Sequence, residues 1–402
     1  MHYLHRILIL SVLVAPLVAA QEPLRIAYAS WDAIHGIEPH REELERCAGG
    51  PIAFQRVDAG HPAAAADVVL LNLDDEGKPP PLLDLSALLA AAGICQDRFP
   101  ASSLSTWRSG AQLLALPLTA TPVLLAWRRD LARELGVDPA AAATWDAFAE
   151  LGRDLRRRHP EARLIRLSLR PWTLSVLLRQ RDVPIVDAEG HPAFDSAEGA
   201  AVMLWVACQL SGQHAIARGG RDSEELAAGR VLCALVDGEG MQELRDLTDQ
   251  IGHAFLLTPL PRWVADGRRT SATGRDRAVG ISAASRRPAA AWAVVQALAT
   301  TADWHAEMSW AYRSLPAWRA VWEDPLFSHA EARFGGASWG RALIGVAGEM
   351  PGLRRGEAGS AVEDALIAAG AAAKKLVTGS GDQAELAAAL LPELHRLCGR
   401  SP

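Results

Sequence analysis

The chain has 402 residues, half of them hydrophobic, and its 47 acidic residues outnumber its 41 lysines and arginines, which gives a formal net charge of -6. This length exceeds what a single hydrophobic core usually serves, so two domains are expected. Because charges of both signs are interspersed and leave no basic face, nucleic acid is excluded as an expected partner.

The first twenty residues predict an export signal that is cleaved after Ala20. They combine a short positive start, an apolar run from Ile7 to Val18 and small residues before the cleavage site. That run is shorter than the roughly 20 residues that cross a bilayer. Loss of Arg6 with the signal changes the formal charge from -6 to -7. The earliest cysteine is Cys47, so no lipid anchor is expected, and the mature protein is predicted to be soluble in the periplasm.

Five short apolar runs predict buried β-strands that are separated by helical patterns. The runs cover residues 24–30, 66–73, 163–169, 230–236 and 277–282. Their continuous apolar character is typical of parallel strands that are covered on both faces. The alternation of strands and helices predicts α/β layers, and from about residue 330 the strands give way to an alanine-rich helical tail.

Two of the helices between these strands begin at capping signals. Thr144 is the predicted N-cap of a helix that buries Trp145 and Phe148. Asp195 and Glu198 form a candidate capping box for a later helix. Both signals predict where a loop ends and a helix starts.

Sequence signatures of catalysis are scarce. The chain has no HExxH zinc motif, no GxSxG nucleophile elbow and no GxxxxGK[ST] phosphate loop. Its twelve histidines are scattered without ligand spacing, so neither a metal nor a cofactor is expected. The adjacent carboxylates Asp74 and Asp75 suit acid–base chemistry or a cation, but such a pair in a loop is more often simply solvated. Binding is therefore favoured over catalysis.

Tryptophan is unusually abundant, with thirteen residues against three tyrosines and seven phenylalanines. An indole has a flat apolar face and a polar N–H, which suits stacking on a sugar ring. Most of the tryptophans, such as Trp145, lie on apolar helical faces and are expected to be core residues. Trp31, Trp172 and Tyr312 lie in irregular segments or beside turn residues, where clefts are usually lined.

A series of segments has the order found in one known family. Residues 113–158 combine an apolar strand, the turn WRRDL and a helix that opens with TWDAF. Further matches follow in order at residues 227–240, 255–261, 278–298 and 312–325. Each motif is short, but their order covers nearly the whole mature chain. In this order the sequence resembles the family 1 extracellular solute-binding proteins, the maltose-binding-like group.

The resemblance implies a two-lobed periplasmic-binding-protein fold of type II, with crossing hinge segments between the lobes and a helical C-terminal tail. The implied lobes are 21–120 with 277–325, and 125–270 with 330–402, and the implied hinges lie near 119–124, 270–277 and 325–330. The implied protein is a monomer without enzymatic activity or cofactor. It would pass a small solute to the membrane permease subunits of an ABC importer.

The resemblance also assigns candidate residues to the cleft. In the family, the cleft is lined by the loop after the first strand, the end of the second apolar strand, the first crossing and an aromatic residue that follows a proline. The matching positions are, in this order, Trp31 with Asp32, Asp74 with Asp75, Thr121, and Trp172. Hydrogen bonds to hydroxyl groups and stacking on a ring are the roles that this match implies.

Charged residues stand at several positions where the family's sugar binders have aromatic or neutral polar ones. They are Arg170, Asp237, Glu239 and Arg354. With these charges on the exposed surface, the expected ligand is a carbohydrate or a related polar organic solute. With these charges in the cleft, it is a charged solute such as a polyamine, a phosphorylated compound or a metal chelate. A receptor module that feeds a membrane sensor, and a secreted hydrolase, are the alternatives from other classes.

Five cysteines in an oxidising compartment allow at most two disulfides. The candidate pairs are Cys47 with Cys95 and Cys208 with Cys233, because the members of each pair fall in one predicted lobe. The alternative is that most of them are small buried apolar residues.

Overall fold

A computed structural model describes most of the chain. The described residues are 22–29, 37–57, 66–73, 80–211, 215–219, 222–303, 305–306, 309, 314–354, 356, 359–377 and 382–400. The predicted signal and five candidate residues lie outside them, namely Trp31, Asp32, Asp74, Asp75 and Tyr312. Within the described ranges, no helix combines the length and the apolar character that a membrane crossing requires.

The described strands form two five-stranded sheets and two two-stranded ones. In chain order they are β1 (Leu24–Tyr28), β2 (Ile52–Arg56), β3 (Val68–Asn72), β4 (Arg108–Ser109), β5 (Gln112–Leu113), β6 (Leu116–Pro117), β7 (Thr119–Ala120), β8 (Leu124–Arg128), β9 (Arg163–Arg166), β10 (Ala217–Arg218), β11 (Val231–Val236), β12 (Phe255–Thr258), β13 (Arg277–Ile281) and β14 (Leu315–Pro316). The first sheet has the order β2-β1-β3-β13-β6, and the second has the order β10-β9-β11-β8-β12. The two-stranded sheets pair β7 with β14 and β4 with β5. Each of the five predicted strands is present, as β1, β3, β9, β11 and β13.

The first sheet is mixed rather than purely parallel. β1 pairs in parallel with β2 and β3, as its apolar run predicted. β13 runs antiparallel to both of its neighbours, β3 and β6, so the parallel prediction was wrong for this strand. The connection explains the difference. β13 follows β12 of the second sheet, so no helical crossover within one sheet constrains its direction.

The second sheet is mixed for the same reason. β9 pairs in parallel with β10 and β11, whereas β8 runs antiparallel to β11 and β12. β8 is the strand on which the chain arrives from the first sheet. Every residue of β8 and β11 is buried, as expected for central strands that are covered on both faces.

Helices cover the faces of both sheets. In chain order they are α1 (Arg41–Ala48), α2 (Ser86–Ala91), α3 (Ala101–Thr106), α4 (Arg129–Leu135), α5 (Trp145–Arg158), α6 (Pro171–Gln180), α7 (Ala197–Leu210), α8 (Asp222–Ala227), α9 (Gly238–Ile251), α10 (Pro288–Thr300), α11 (Trp339–Ala347), α12 (Ser360–Leu376) and α13 (Gln383–Leu397). Short 3₁₀ segments lie at Glu38–His40, Gln96–Arg98, Pro139–Ala141, Arg319–Glu323, Pro325–Ser328 and Ala332–Phe334.

One predicted helix cap is confirmed and the other is wrong. The amide of Ala147 donates to Thr144 Oγ1 at 3.2 Å, so Thr144 caps α5. The N-cap of α7 is Ser196, whose Oγ accepts from the amide of Gly199 at 3.1 Å. Asp195 is buried instead and forms an ion pair of 3.2 Å with Arg400. Local spacing predicted that this carboxylate would cap the helix. It instead pairs with Arg400, which is distant in the sequence.

The two sheets and their helices form two lobes with separate cores. In the first lobe, buried residues of β1, β3 and β13 pack against α1 and α10. In the second lobe, α5, α6 and α7 cover one face of the sheet, and α9 and α11 pack on the other. The C-terminal helices α12 and α13 pack against α6 and α7. The helical tail therefore packs against helices of the second lobe.

All five cysteines are free thiols, so neither candidate disulfide is formed. Cys47 and Cys95 are exposed on the first lobe. Cys233 is fully buried on β11 within the core of the second lobe, and burial raises the pKa of its thiol. The interpretation of buried cysteines as small apolar residues thus holds for Cys233, and also for Cys398 in the same core.

Candidate functional site

Two segments cross between the lobes side by side. The first joins β6 to β8, and the second joins β12 to β13. The amide of Val123 donates to the carbonyl of Ser271 at 3.1 Å, and the amide of Thr273 donates to the carbonyl of Thr121 at 3.3 Å. Thr121 Oγ1 also donates to Asp276 Oδ1 at 2.5 Å. The two crossings therefore form one hydrogen-bonded link between the lobes.

A pocket of about 530 Å³, open to solvent, lies at these crossings, and we call it the crossing pocket. Both crossing segments line it, together with the start of α9 from the second lobe. Its polar lining residues include Thr121, Asp237, Glu239, Thr273, Arg275 and Arg277. Polar groups of both lobes thus converge in one concave site, which is the usual form of a small-molecule site.

Two carboxylates of the crossing pocket belong to the first turn of α9. Asp237 is only 7% exposed and caps the helix, because its Oδ1 accepts from the amide of Gly240 at 2.9 Å. Glu239 is exposed and forms an ion pair with Arg275 of the second crossing. Water screens an exposed pair of this kind, so exchange of either partner for a ligand costs little free energy.

A second pocket, of about 470 Å³, adjoins the crossing pocket at the first sheet, and we call it the first-lobe pocket. Thr119, Arg277 and Ser314 line both pockets. The other polar lining residues of the first-lobe pocket are Asn72, His305 and Ser309. Burial lowers the pKa of His305 from 6.5 to about 4, so its imidazole is neutral at physiological pH.

A buried arginine supports the second crossing from the second lobe. Arg179 of α6 is 6% exposed, and its Nη1 donates to the carbonyl of Ala272 at 3.1 Å. Gly274 passes over this side chain with a φ of +85°, and a Cβ at that position would lie 2.7 Å from Arg179 Nη2. Only glycine fits both the left-handed backbone and the close approach.

Three of the residues predicted for the cleft line the crossing pocket, namely Thr121, Asp237 and Glu239. The first crossing places Thr121 there, and the loop between β11 and α9 places the two carboxylates. The charged positions that set this sequence apart from the family's sugar binders therefore include two that face a pocket between the lobes.

Three other candidates do not line either of these two pockets. Arg170 is exposed at the N-cap of α6, and Trp172 packs against the second-lobe core. Arg354 Nη1 donates to the carbonyl of Val186 at 3.1 Å. The roles of these three residues stay predictions.

The sequence interpretation did not select the arginines of the second crossing. Arg275 and Arg277 flank Asp276 in the segment Thr273-Gly274-Arg275-Asp276-Arg277, which lies within the implied hinge at 270–277. A run of polar and charged residues in an implied hinge was the signal that would have identified them. The described part of the chain holds no cluster of three or more His, Cys, Asp or Glu side chains that could bind an ion.

The model of one protein family, described as bacterial extracellular solute-binding protein, matches residues 53–303. This match covers more than half of the chain and includes both crossings described above. The comparison with curated proteins found no match to this sequence.

Solved structures with the same fold match almost the full chain. The sugar-binding protein MalE from Xanthomonas citri is 16% identical with a TM-score of 0.73, and the match covers 94% of this chain and 97% of that chain. The cyclic alpha-maltosyl-1,6-maltose binding protein from Arthrobacter globiformis is 14% identical with a TM-score of 0.68, over 94% of this chain and 98% of that chain. UgpB from Mycobacterium tuberculosis, solved with glycerophosphocholine, is 15% identical with a TM-score of 0.63, over 94% and 98%. At these identities the similarity shows the fold alone, which is that of a two-lobed type II periplasmic binding protein.

Proposed function

Because the chain belongs to the bacterial extracellular solute-binding proteins, we propose that it captures a carbohydrate or a related polar organic solute between its lobes and delivers it to the permease of an ABC importer. Family and fold are those of binding proteins rather than enzymes. The proteins of known structure named above include sugar binders and one that was solved with glycerophosphocholine.

The observation that carries this proposal is the position of the crossing pocket. It lies on the segments that link the lobes, and hydroxyl, carboxylate and guanidinium groups line it. Such groups donate and accept the hydrogen bonds that orient a polar solute. A ligand bound there contacts the first turn of α9 and both crossings together, so it has a different contact free energy in open and closed arrangements of the lobes.

Closure about the hinge is the proposed mechanism of capture. We propose the lobe boundaries 21–120 with 277–325 and 125–270 with 330–402, with hinges near 119–124, 270–277 and 325–330. Rotation about these hinges encloses the solute and changes the surface that the permease contacts. Cleavage of the signal after residue 20, a periplasmic location and a monomeric state belong to the same proposal.

The proposal is tested by titration calorimetry of the exported protein against neutral mono- and oligosaccharides, acidic sugars, polyamines and amino acids. A ligand at 100 times its dissociation constant stabilises the native state by about 2.7 kcal/mol, so a thermal-shift screen selects the compounds for titration. Binding of a sugar that weakens in Thr121→Val supports the proposal. Binding of polyamines or amino acids alone would replace the carbohydrate with another solute class.

A further inference from the structure

Arg277 is the charged one of the three described residues that line both pockets. It begins β13, it is only partly exposed, and it lines both the crossing pocket and the first-lobe pocket. Its backbone amide donates to Thr119 Oγ1 at 3.0 Å, which fixes the start of the strand. Its guanidinium makes no hydrogen bond or ion pair with any of the described residues. Among the described residues this partly buried charge has no partner, so an anionic group bound beside it would gain a charge-assisted hydrogen bond.

The carboxylates near Arg277 that the structure describes already have partners. Asp276 is 1% exposed and accepts a hydrogen bond from Thr121 Oγ1. Asp237 caps α9, and Glu239 pairs with Arg275. None of these three lines the first-lobe pocket, and the described residues that do line it include no carboxylate.

The rest of the first-lobe pocket suits an acceptor group. Thr119, Ser309 and Ser314 supply hydroxyl groups, and His305 is neutral, so Arg277 is the one formal charge among the described lining residues. A guanidinium presents its N–H groups as a planar fork that matches two oxygens of a carboxylate or phosphate. Hydroxyl groups can donate to the same oxygens from the sides.

We propose that the first-lobe pocket binds an oxyanion, which is a carboxylate or phosphate group of the solute. Arg277 is its bidentate hydrogen-bond donor. This inference rests on the proposed function of the cleft and narrows the ligand to an acidic carbohydrate or polyol. The oxyanion occupies the first-lobe pocket, and the hydroxyl groups of the same solute extend into the crossing pocket.

The test compares neutral and acidic probes of the same size by titration calorimetry. The pairs are glucose against glucuronate and glucose 6-phosphate, and glycerol against glycerol 3-phosphate, with inorganic phosphate and succinate as anions without a sugar. We expect an acidic member to bind at least about 10-fold more tightly than its neutral partner, because a hydrogen bond to a charged group is that strong. A stronger response to glucuronate or to the phosphates identifies the oxyanion.

The variants separate binding by Arg277 from a structural role. Arg277→Gln should lower the affinity for the acidic probe about 10- to 150-fold and leave the affinity for the neutral probe unchanged. Arg277→Lys keeps the charge but not the planar pair of N–H donors. Its affinity for the acidic probe should lie between those of the wild type and Arg277→Gln. Arg286→Gln removes the same charge from an exposed position beyond β13 that lines neither pocket, and it should bind like the wild type. Should Arg277→Gln fail to fold, the salt dependence of binding to the wild type tests the proposal instead. Added salt should lower the affinity for the acidic probe and not that for the neutral probe.

Each remaining outcome has a distinct meaning. Equal affinity for glucose and its acidic forms, or an equal loss of both in Arg277→Gln, overturns the oxyanion pocket and leaves the carbohydrate proposal intact. Binding of phosphate or succinate without any sugar supports the pocket and overturns the carbohydrate. Binding of no probe at millimolar concentration overturns the oxyanion pocket, and the oligosaccharides of the wider screen then decide the carbohydrate proposal.

Discussion

The buried imidazole of His305 should make the first lobe sensitive to mild acid. Its pKa is lowered from 6.5 to about 4 by burial, and hydrogen bonds with the backbone of Ala299 and Leu298 oppose this shift only in part. As the pH falls, the unfolded chain therefore binds the proton before the folded chain does. The stabilisation is fully present above about pH 6.5 and is lost between that pH and about pH 4. Applied to these two pKa values, the linkage relation predicts a loss of about 2 kcal/mol in the free energy of unfolding from about pH 7.5 to about pH 5.

Urea unfolding of the wild type and of His305→Gln at these two pH values measures the effect. Because glutamine does not titrate, the pH-dependent loss in the variant should be smaller by about 2 kcal/mol, whatever its stability at neutral pH. His191→Gln is the matched control, because it removes an imidazole whose side chain is 72% exposed. Equal pH dependence in the wild type and in His305→Gln would refute the reasoning.

Three further experiments test individual features of the structure. Gly274→Ala should destabilise the protein by about 1–3 kcal/mol in urea unfolding, because its Cβ would meet Arg179, and more than Gly190→Ala, which has a similar φ of +88° but open space around it. Thr144→Ala should cost about 1 kcal/mol in the same assay through loss of the α5 cap, and no change would show that another group satisfies that amide. Thiol labelling should count five free cysteines in the denatured chain, with Cys233 unreactive in the native protein, and a lower count would reveal a disulfide.

Local pattern was sufficient for the five strands that it predicted. Each of the five apolar runs became a strand, because such runs are stable only when both faces are covered. Thr144 was predicted as a cap because its partner amide lies three residues away in the chain. The predictions failed where a distant contact decides the outcome. The direction of β13 depends on its arrival from the other lobe, and the position of Asp195 depends on Arg400.

The site was only partly predictable for the same reason. Thr121, Asp237 and Glu239 were selected because the order of motifs implied which loops line the cleft. Arg277 was interpreted only as the first residue of an apolar strand, although it also ends the polar run of the implied hinge at 270–277. Its backbone partner Thr119 is 158 positions away in the sequence, so only the folded chain brings them together.

The arrangement of Arg277 connects ligand binding to the hinge. Its neighbour Asp276 is bonded to Thr121 of the first crossing, and its own amide is bonded to Thr119 at the start of that crossing. A solute that bound only in the first-lobe pocket would contact residues that keep the same neighbours in any lobe arrangement, and it would shift no equilibrium. A solute that also reaches Glu239 on the second lobe gains contacts only when the lobes approach, at the expense of the exposed pair with Arg275. Under the proposed hinge mechanism, a ligand that spans both pockets, with its charged group on the first lobe and its hydroxyl groups toward α9, should therefore favour closure.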